Sequence, residues 1–242
     1  MGVVGSIGGA LAKHVGPEVT GTMIRTILEK AIDGLGPLPG AATSAEAAVR
    51  KAGGDTYVAI DDLISSHVRL AGAQGFVTNI GGLITMAVTA PANLAAVALV
   101  QCHLAAEIVH IRGYDLQHPS VRNAVLICLL DPDARKALTK DAKSDMSPAT
   151  VVKGEQGQEV RQLIGRAVAL SLLTGVGGKR VAAFVARRIP VLGGAVGGAG
   201  DAWATRRVGR ETAKMPRPPR GSAVARPIII DAAASGELPS GA

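Results

Sequence analysis

A chain of 242 residues is long enough to bury a sizeable core and fits one large domain or two small ones. Aromatic residues make up only 2% of it, and strands favour aromatic and β-branched side chains, so the composition indicates helices. The net charge of +7 arises in residues 179–226, which hold 11 basic and 2 acidic residues. This region lacks the aromatic side chains and the motifs of specific nucleic-acid binding, which favours an anionic membrane surface or an acidic partner.

The N-terminal half reads as helices separated by glycine and proline. Residues 1–16 are glycine-rich and are predicted to be a flexible N-terminus. Apolar periodicity and stop signals predict helices over residues 17–33, 44–51 and 55–73.

The stretch from residue 70 to residue 102 carries no charged side chain. A membrane-spanning helix needs about 20 apolar residues, and each half of this stretch is shorter and richer in glycine and alanine. Pro91 favours a break at that point, because proline suits the first turn of a helix. We therefore predict two core helices, over 74–90 and 91–111, that form a central apolar hairpin.

The C-terminal half continues the helical pattern. Further helices are predicted from residue 119 to about 130, from 160 to 173 and from 190 to 214, with a charged surface connection over 131–158. Residues 215–242 are rich in proline and small side chains and are predicted to be a disordered basic tail. The expected fold is an all-α multi-helix bundle over residues 17–214.

Three motifs occur in a defined order along the chain. They are residues 35–39 with Ser44 to Glu46, residues 105–115 with Pro119, and residues 189–198 with Asp201 and Thr205 to Arg207. Together they resemble the EcsC-like proteins of bacteria over about residues 30–215. The resemblance implies a helical, membrane-associated protein. It carries over no catalytic residue, because the biochemical role of that family is not established.

A polar face interrupts the apolar sequence near the end of the predicted hairpin. His103, Glu107 and His110 are spaced i, i+4 and i+7, which places them within about 60° of one another on a helix. Glu107 and His110 form half of the Glu-x-x-His pair of di-iron bundles, but the chain has no second copy.

Two interpretations of this face stay open. Asp61, Asp62 and His67 could complete a metal site in the same interior. The favoured interpretation is a polar seam in which Glu107 pairs with a buried arginine, Arg122 or Arg69. We accordingly predict no metal ligand, no cofactor and no catalytic residue.

Small residues form a ridge on the last predicted helix, at Gly193, Gly194, Gly197 and Gly198. Such a ridge lets two helices approach closely, in a bilayer or within one chain. Asp201 follows on the same helix. It lines an internal cavity or, as the favoured interpretation, makes a structural ion pair or caps a neighbouring helix.

The last helix and the tail carry the candidate residues for contact with an anionic surface: Arg206, Arg207, Arg210, Lys214, Arg217 and Arg220. We expect a membrane-associated binding or accessory protein, peripheral to the cytoplasmic side of the inner membrane, that contacts lipid or a membrane protein. The alternatives are a metal-dependent or hydrolytic enzyme centred on Glu107, and an assembly or cargo-type protein that binds a partner through its tail. Self-association into a homo-oligomer stays open.

Overall fold

A computed structural model describes the backbone of residues 17–80, 82–175 and 190–226, and the side chains of 21–73, 95–172 and 198–226. The predicted flexible N-terminus, residues 1–16, lies outside this part of the chain. Within it the protein is all-α, as predicted, and forms a multi-helix bundle without strands.

The described ranges contain nine helices. In chain order they are α1 (Pro17–Asp33), α2 (Ala41–Lys51), α3 (Thr56–Ile80), α4 (Gly82–Ile111), α5 (Pro119–Cys128), α6 (Pro132–Ala142), α7 (Pro148–Val151), α8 (Gln158–Gly175) and α9 (Pro190–Ala213).

Helix α4 is the centre of the bundle. It contacts α1, α2, α3, α5, α8 and α9. Each residue from 101 to 110 is buried, and polar side chains in this stretch therefore have no access to bulk water. Whatever chemistry these side chains perform depends on the partners that the surrounding helices supply.

Helices α3 and α9 form the most extensive helix pair, and small residues allow their close approach. A Cβ atom added at Gly209 of α9 would lie 2.6 Å from Cγ1 of Ile64 on α3. The carbonyl oxygen of Gly198 lies beside Gly72. The other members of the predicted ridge, Gly193, Gly194 and Gly197, lie outside the residues whose side-chain positions are described.

The predicted helix break at Pro91 is wrong. Helix α4 runs from Gly82 to Ile111 through Pro91, and α3 extends to Ile80 instead of ending near residue 73. A proline removes one hydrogen bond and kinks a helix without having to end it. No helix within the described ranges is long and apolar enough to cross a membrane.

The predicted charged connection over 131–158 contains two capped helices, α6 and α7. The side chain of Asp131 accepts a hydrogen bond from the backbone N–H of Ala134 at the start of α6. Ser147 caps α7 in the same way through the N–H of Thr150. Both capping residues precede a proline, which is the preferred first residue of a helix.

The first part of the predicted tail is folded. The backbone N–H of Asp115 donates to the Val224 carbonyl at 2.9 Å, and that of Arg226 donates to the Gly113 carbonyl at 2.8 Å. The hydroxyl of the buried Tyr114 donates to the carbonyl of Pro216. The prediction of disorder from residue 215 therefore differs from the structure over 215–226, and residues 227–242 lie outside the described part of the chain.

Candidate metal centre

The polar face of α4 contains a buried cluster of two histidines and one glutamate. Glu107 and His103 are each 2% exposed, and they stand one turn apart on α4. His67 of the neighbouring helix α3 is half-buried and completes the cluster. Since α3 and α4 contact each other directly, residues far apart in sequence meet at this point.

Each oxygen of the Glu107 carboxylate faces one imidazole. The Oε1 atom lies 3.2 Å from Nε2 of His103, and Oε2 lies 3.4 Å from Nε2 of His67. The prediction that Glu107 pairs with an arginine is wrong. Arg122 donates to the carbonyl of Leu116 and to Gln117, and Arg69 is exposed.

The second nitrogen of each imidazole is held by the backbone. Nδ1 of His103 lies 2.8 Å from the carbonyl oxygen of Ala31 in α1, and Nδ1 of His67 lies 3.0 Å from that of Leu63. A carbonyl oxygen only accepts, so both Nδ1 atoms carry the hydrogen. In a neutral ring, the lone pair is then on Nε2, the nitrogen that faces Glu107. This outer hydrogen bond is the usual arrangement of a metal-binding histidine.

The pKa values of the two histidines are shifted in opposite directions. Burial opposes the charged form of His103, but the hydrogen bond and the charge of Glu107 raise its pKa overall. Burial lowers the pKa of His67, and the charge of Glu107 offsets this only in part. The cluster therefore favours the charged form of His103 over the charged form of His67.

One contact in the cluster lacks a hydrogen. A neutral His67 presents a lone pair at Nε2, and Glu107 Oε2 is buried and forms no hydrogen bond. Two acceptors then face each other at 3.4 Å, which is unfavourable unless a cation lies between them.

Two of the three ligand-atom pairs in the cluster have the spacing that a small metal ion requires. One ligand atom from each side chain can be chosen so that all three lie within 4.8 Å of one another. Two atoms bound to a tetrahedral zinc ion at about 2.0 Å lie about 3.3 Å apart. The two nitrogen–oxygen contacts, 3.2 and 3.4 Å, are close to that value.

The other residues predicted for this face lie elsewhere. His110 contacts Glu46 of α2 at 3.3 Å and Arg226 at 2.7 Å, which ties the C-terminal segment to the bundle. Burial lowers the pKa of His110, and the charge of Arg226 lowers it further. Asp61 and Asp62 are exposed on α3.

Asp201 lines a separate, partly open pocket of about 70 Å³, together with Gln101, Ser171 and Arg207. Its side chain is buried, and Oδ2 forms no hydrogen bond. Burial raises the pKa of Asp201 to about 6. Among the residues that the structure describes, Asp201 has no ion-pair partner, and its role stays a prediction.

The predicted basic surface divides into two groups. The side chains of Arg206, Arg210, Arg217 and Arg220 are exposed. Lys214 is exposed as well and contacts Glu211 at 2.5 Å, whereas Arg207 donates to the carbonyls of Leu129 and Leu130, just after α5. Arg207 therefore has a structural role as well as a charge.

Sequence reasoning named His67 only as one of several side chains for this interior. His67 and Glu107 lie on consecutive helices, 40 residues apart in sequence, and no motif links them. The backbone partners, Ala31 and Leu63, give no signal in the sequence. No protein-family model, curated protein or solved structure matches this chain, and the resemblance to the EcsC-like proteins stays a prediction.

Proposed function

We propose that this protein binds one divalent transition-metal ion between α3 and α4, with zinc as the first candidate. The ligands are Nε2 of His67, Nε2 of His103 and the carboxylate of Glu107. The observation that carries the proposal is the buried carboxylate between two imidazoles whose Nδ1 atoms are both engaged by carbonyl oxygens. A divalent ion would replace the facing lone pairs with three bonds.

The donor set narrows the choice of ion. Two imidazoles and one carboxylate bind zinc in catalytic sites and iron(II) in oxygenases, whereas calcium and magnesium prefer oxygen ligands alone. The neighbouring Cys102 does not belong to the group of side chains whose ligand atoms lie within 4.8 Å of one another. Zinc is therefore the natural first probe.

Burial favours a structural or regulatory ion over one that acts on a substrate. Glu107 and His103 are almost completely enclosed, and the site joins α3 to α4 and, through Ala31, to α1. An ion at this point would stabilise the native state, because the unfolded chain does not present the site. The enclosure of the site therefore supports a bound metal ion at Glu107, and it does not support hydrolysis of a substrate there.

A matched pair of variants tests the proposal. Protein stripped of metal with EDTA is titrated calorimetrically with Zn²⁺, and we expect one ion per chain. Glu107→Gln should weaken binding by more than about 100-fold, because it removes a ligand. Glu46→Gln should bind as wild type does, although Glu46 also contacts a histidine. Zinc binding that is absent, or lost equally in both variants, would refute the proposal.

A second candidate function is contact with a membrane surface. Trp203 is 69% exposed on α9, and the exposed side chains of Arg206 and Arg210 follow at i+3 and i+7 on the same face. Tryptophan is favoured at the membrane interface, and each arginine near an anionic surface contributes about 1 kcal/mol. The role agrees with what the EcsC-like resemblance implies.

Trp203 is the only tryptophan, so its fluorescence tests this second candidate. We expect a blue shift and co-flotation with vesicles that contain phosphatidylglycerol at low salt, and neither effect with phosphatidylcholine alone. Arg206→Gln combined with Arg210→Gln should reduce flotation, while Arg50→Gln on α2 serves as the control. Protein that stays unbound at low salt would exclude the membrane role.

A further inference from the structure

A second cavity lies at the crossing of α1 and α8, and it shares no residue with the histidine cluster. Its volume is about 550 Å³, within the range of pockets for small organic ligands. Arginines from three helices line it: Arg25 from α1, Arg122 from α5, and Arg161 and Arg166 from α8. Glu29 is the one acidic side chain in its lining.

We propose that this cavity binds a phosphate-bearing ligand, and that Arg25, Arg122 and Arg161 contact the phosphate group. Guanidinium groups match phosphate oxygens in a forked, two-bond geometry, which makes arginine the preferred residue for this recognition. The volume exceeds that of an inorganic phosphate ion, so the ligand carries an organic part as well.

Two glycines determine how the arginines converge. A Cβ atom added at Gly165 of α8 would lie 3.2 Å from the Cα atom of Gly21 in α1, so the helices cross almost backbone to backbone. Arg25 stands one turn after Gly21, and Arg161 stands one turn before Gly165. The crossing therefore brings both guanidinium groups to the same cavity.

Hydrogen bonds to neutral oxygens orient two of the arginines. Arg25 donates to Oδ1 of Asn123 at 3.2 Å and to the backbone carbonyl of Arg161. The Nε atom of Arg122 donates to the carbonyl of Leu116 at 3.0 Å. These partners fix the side chains without neutralising them, which prepares the site for an anion at little ordering cost.

The crowding of positive charge has a cost that an anion would offset. Burial lowers the pKa of Arg25, and the charge of Arg161 lowers it further, while Glu29 opposes the shift to a smaller extent. The first residues of α5 and α8, Pro119 and Gln158, also line the cavity. The positive ends of both helix dipoles add to the same potential.

Glycerol phosphate is the soluble probe, since the same phosphate chemistry occurs in free metabolites and in phospholipid headgroups. We expect saturable binding of one molecule per chain by calorimetry at constant ionic strength. Arg161→Gln should raise the Kd about tenfold, the loss of one charge-assisted contact. The Arg161 side chain is exposed, and only its backbone carbonyl serves Arg25, so this variant should fold. Arg50→Gln, an exposed arginine on α2 outside the cavity, should bind normally.

Vesicles that contain phosphatidylglycerol form the second arm of the test. If Arg161→Gln weakens vesicle binding and glycerol phosphate does not bind at all, the ligand is a lipid headgroup. If glycerol phosphate binds and Arg161→Gln weakens that binding, the ligand is a soluble phosphate ester. The proposal is overturned if neither probe binds, or if Arg161→Gln binds both probes as Arg50→Gln and wild type do. Zinc titration of the same variants is independent, because the two sites share no residue.

Discussion

Two histidine–glutamate contacts lie two turns apart along helix α4, and they have nearly the same length. His103 and Glu107 approach to 3.2 Å, and His110 and Glu46 approach to 3.3 Å. Their surroundings differ sharply, because the side chain of Glu107 is 2% exposed and that of Glu46 is 52% exposed. The third member of each group differs as well, namely His67 in one and Arg226 in the other.

The third side chain in each group decides whether a histidine–glutamate pair can bind a cation. Arg226 already supplies a positive charge beside His110, so that group has no vacancy for a cation and ties the C-terminal segment to the bundle. The inner group has a second imidazole instead, and its carboxylate keeps one oxygen without a hydrogen bond. Buried acceptors in excess of donors favour a metal ion. In the outer group Arg226 already balances the charge of the exposed Glu46, so no metal ion is favoured.

Replacing Glu107 and Glu46 one at a time should give the largest difference in unfolding free energy between the inner and outer groups. In metal-free protein, Glu107→Gln should lower the free energy of unfolding by about 4 kcal/mol, since it leaves the buried His103 without its counter-charge. Glu46→Gln should lower it by about 0.5 kcal/mol, the scale of an exposed pair. Urea denaturation in EDTA measures both. Equal losses would remove the distinction between the inner and outer groups.

Asp201 isolates the effect of burying a carboxylate without histidine partners. Burial raises its pKa from 3.8 to about 6, so the native state holds a proton that the unfolded chain has released. Native stability should therefore fall as the pH rises from about 4 to 6, and stay reduced above that range. Asp201→Asn removes this loss and should stabilise the protein at neutral pH by up to about 3 kcal/mol.

The difference in unfolding free energy between wild type and Asp201→Asn, measured across this pH range, cancels the contributions of the other carboxylates. A difference that does not change with pH would mean that Asp201 is charged and compensated in the native state.

The outer histidine should show the opposite dependence on pH. Burial, with a further contribution from Arg226, lowers the pKa of His110 below 6.5, so the unfolded chain takes up a proton first as the pH falls. Wild type should lose stability relative to His110→Gln below about pH 6.5, by less than about 1 kcal/mol. Urea midpoints at neutral and mildly acidic pH check this. A loss of stability as the pH rises would contradict it.

Arg226→Gln should have the smallest effect on the unfolding free energy, together with a local effect on hydrogen exchange in the C-terminal segment. Its side chain is partly exposed, and its backbone bond to Gly113 is retained, so the change in unfolding free energy should stay within about 0.5 kcal/mol. Hydrogen exchange at the amides of Asp115 and Arg226 should speed up, because the side chain no longer holds the segment to His110. Arg220→Gln is the control. Unchanged exchange would show that backbone bonds alone hold the segment.

The sequence predicted helices well and tertiary partners poorly. Apolar periodicity gave the all-α class, and the spacing of His103, Glu107 and His110 correctly indicated a polar face within a buried helix. It could not show that His110 and Glu107 have separate partners, because both face the interior of the bundle. The choice of His67 over an arginine depends on how α3 packs on α4, which no local pattern specifies.

Proline residues interrupt the fold less than the sequence predicts. Pro91 predicts a helix boundary, yet a 30-residue helix continues through it. The prolines after residue 214 suggested disorder, but backbone hydrogen bonds to Gly113 and Asp115 hold residues 215–226 against the bundle. The cavity at the crossing of α1 and α8 could not be predicted from the sequence, since the arginines that line it come from three helices that are distant in sequence.

X-ray absorption spectroscopy of the zinc-loaded protein tests the central claim most directly. The account predicts nitrogen and oxygen ligands at about 2.0 Å, with the outer scattering of two imidazoles and no sulfur. Glu107→Gln should fail to retain the ion under the same conditions. A sulfur ligand at about 2.3 Å, which would place the ion on Cys102 or Cys128, or a shell of oxygens without imidazole, would contradict it.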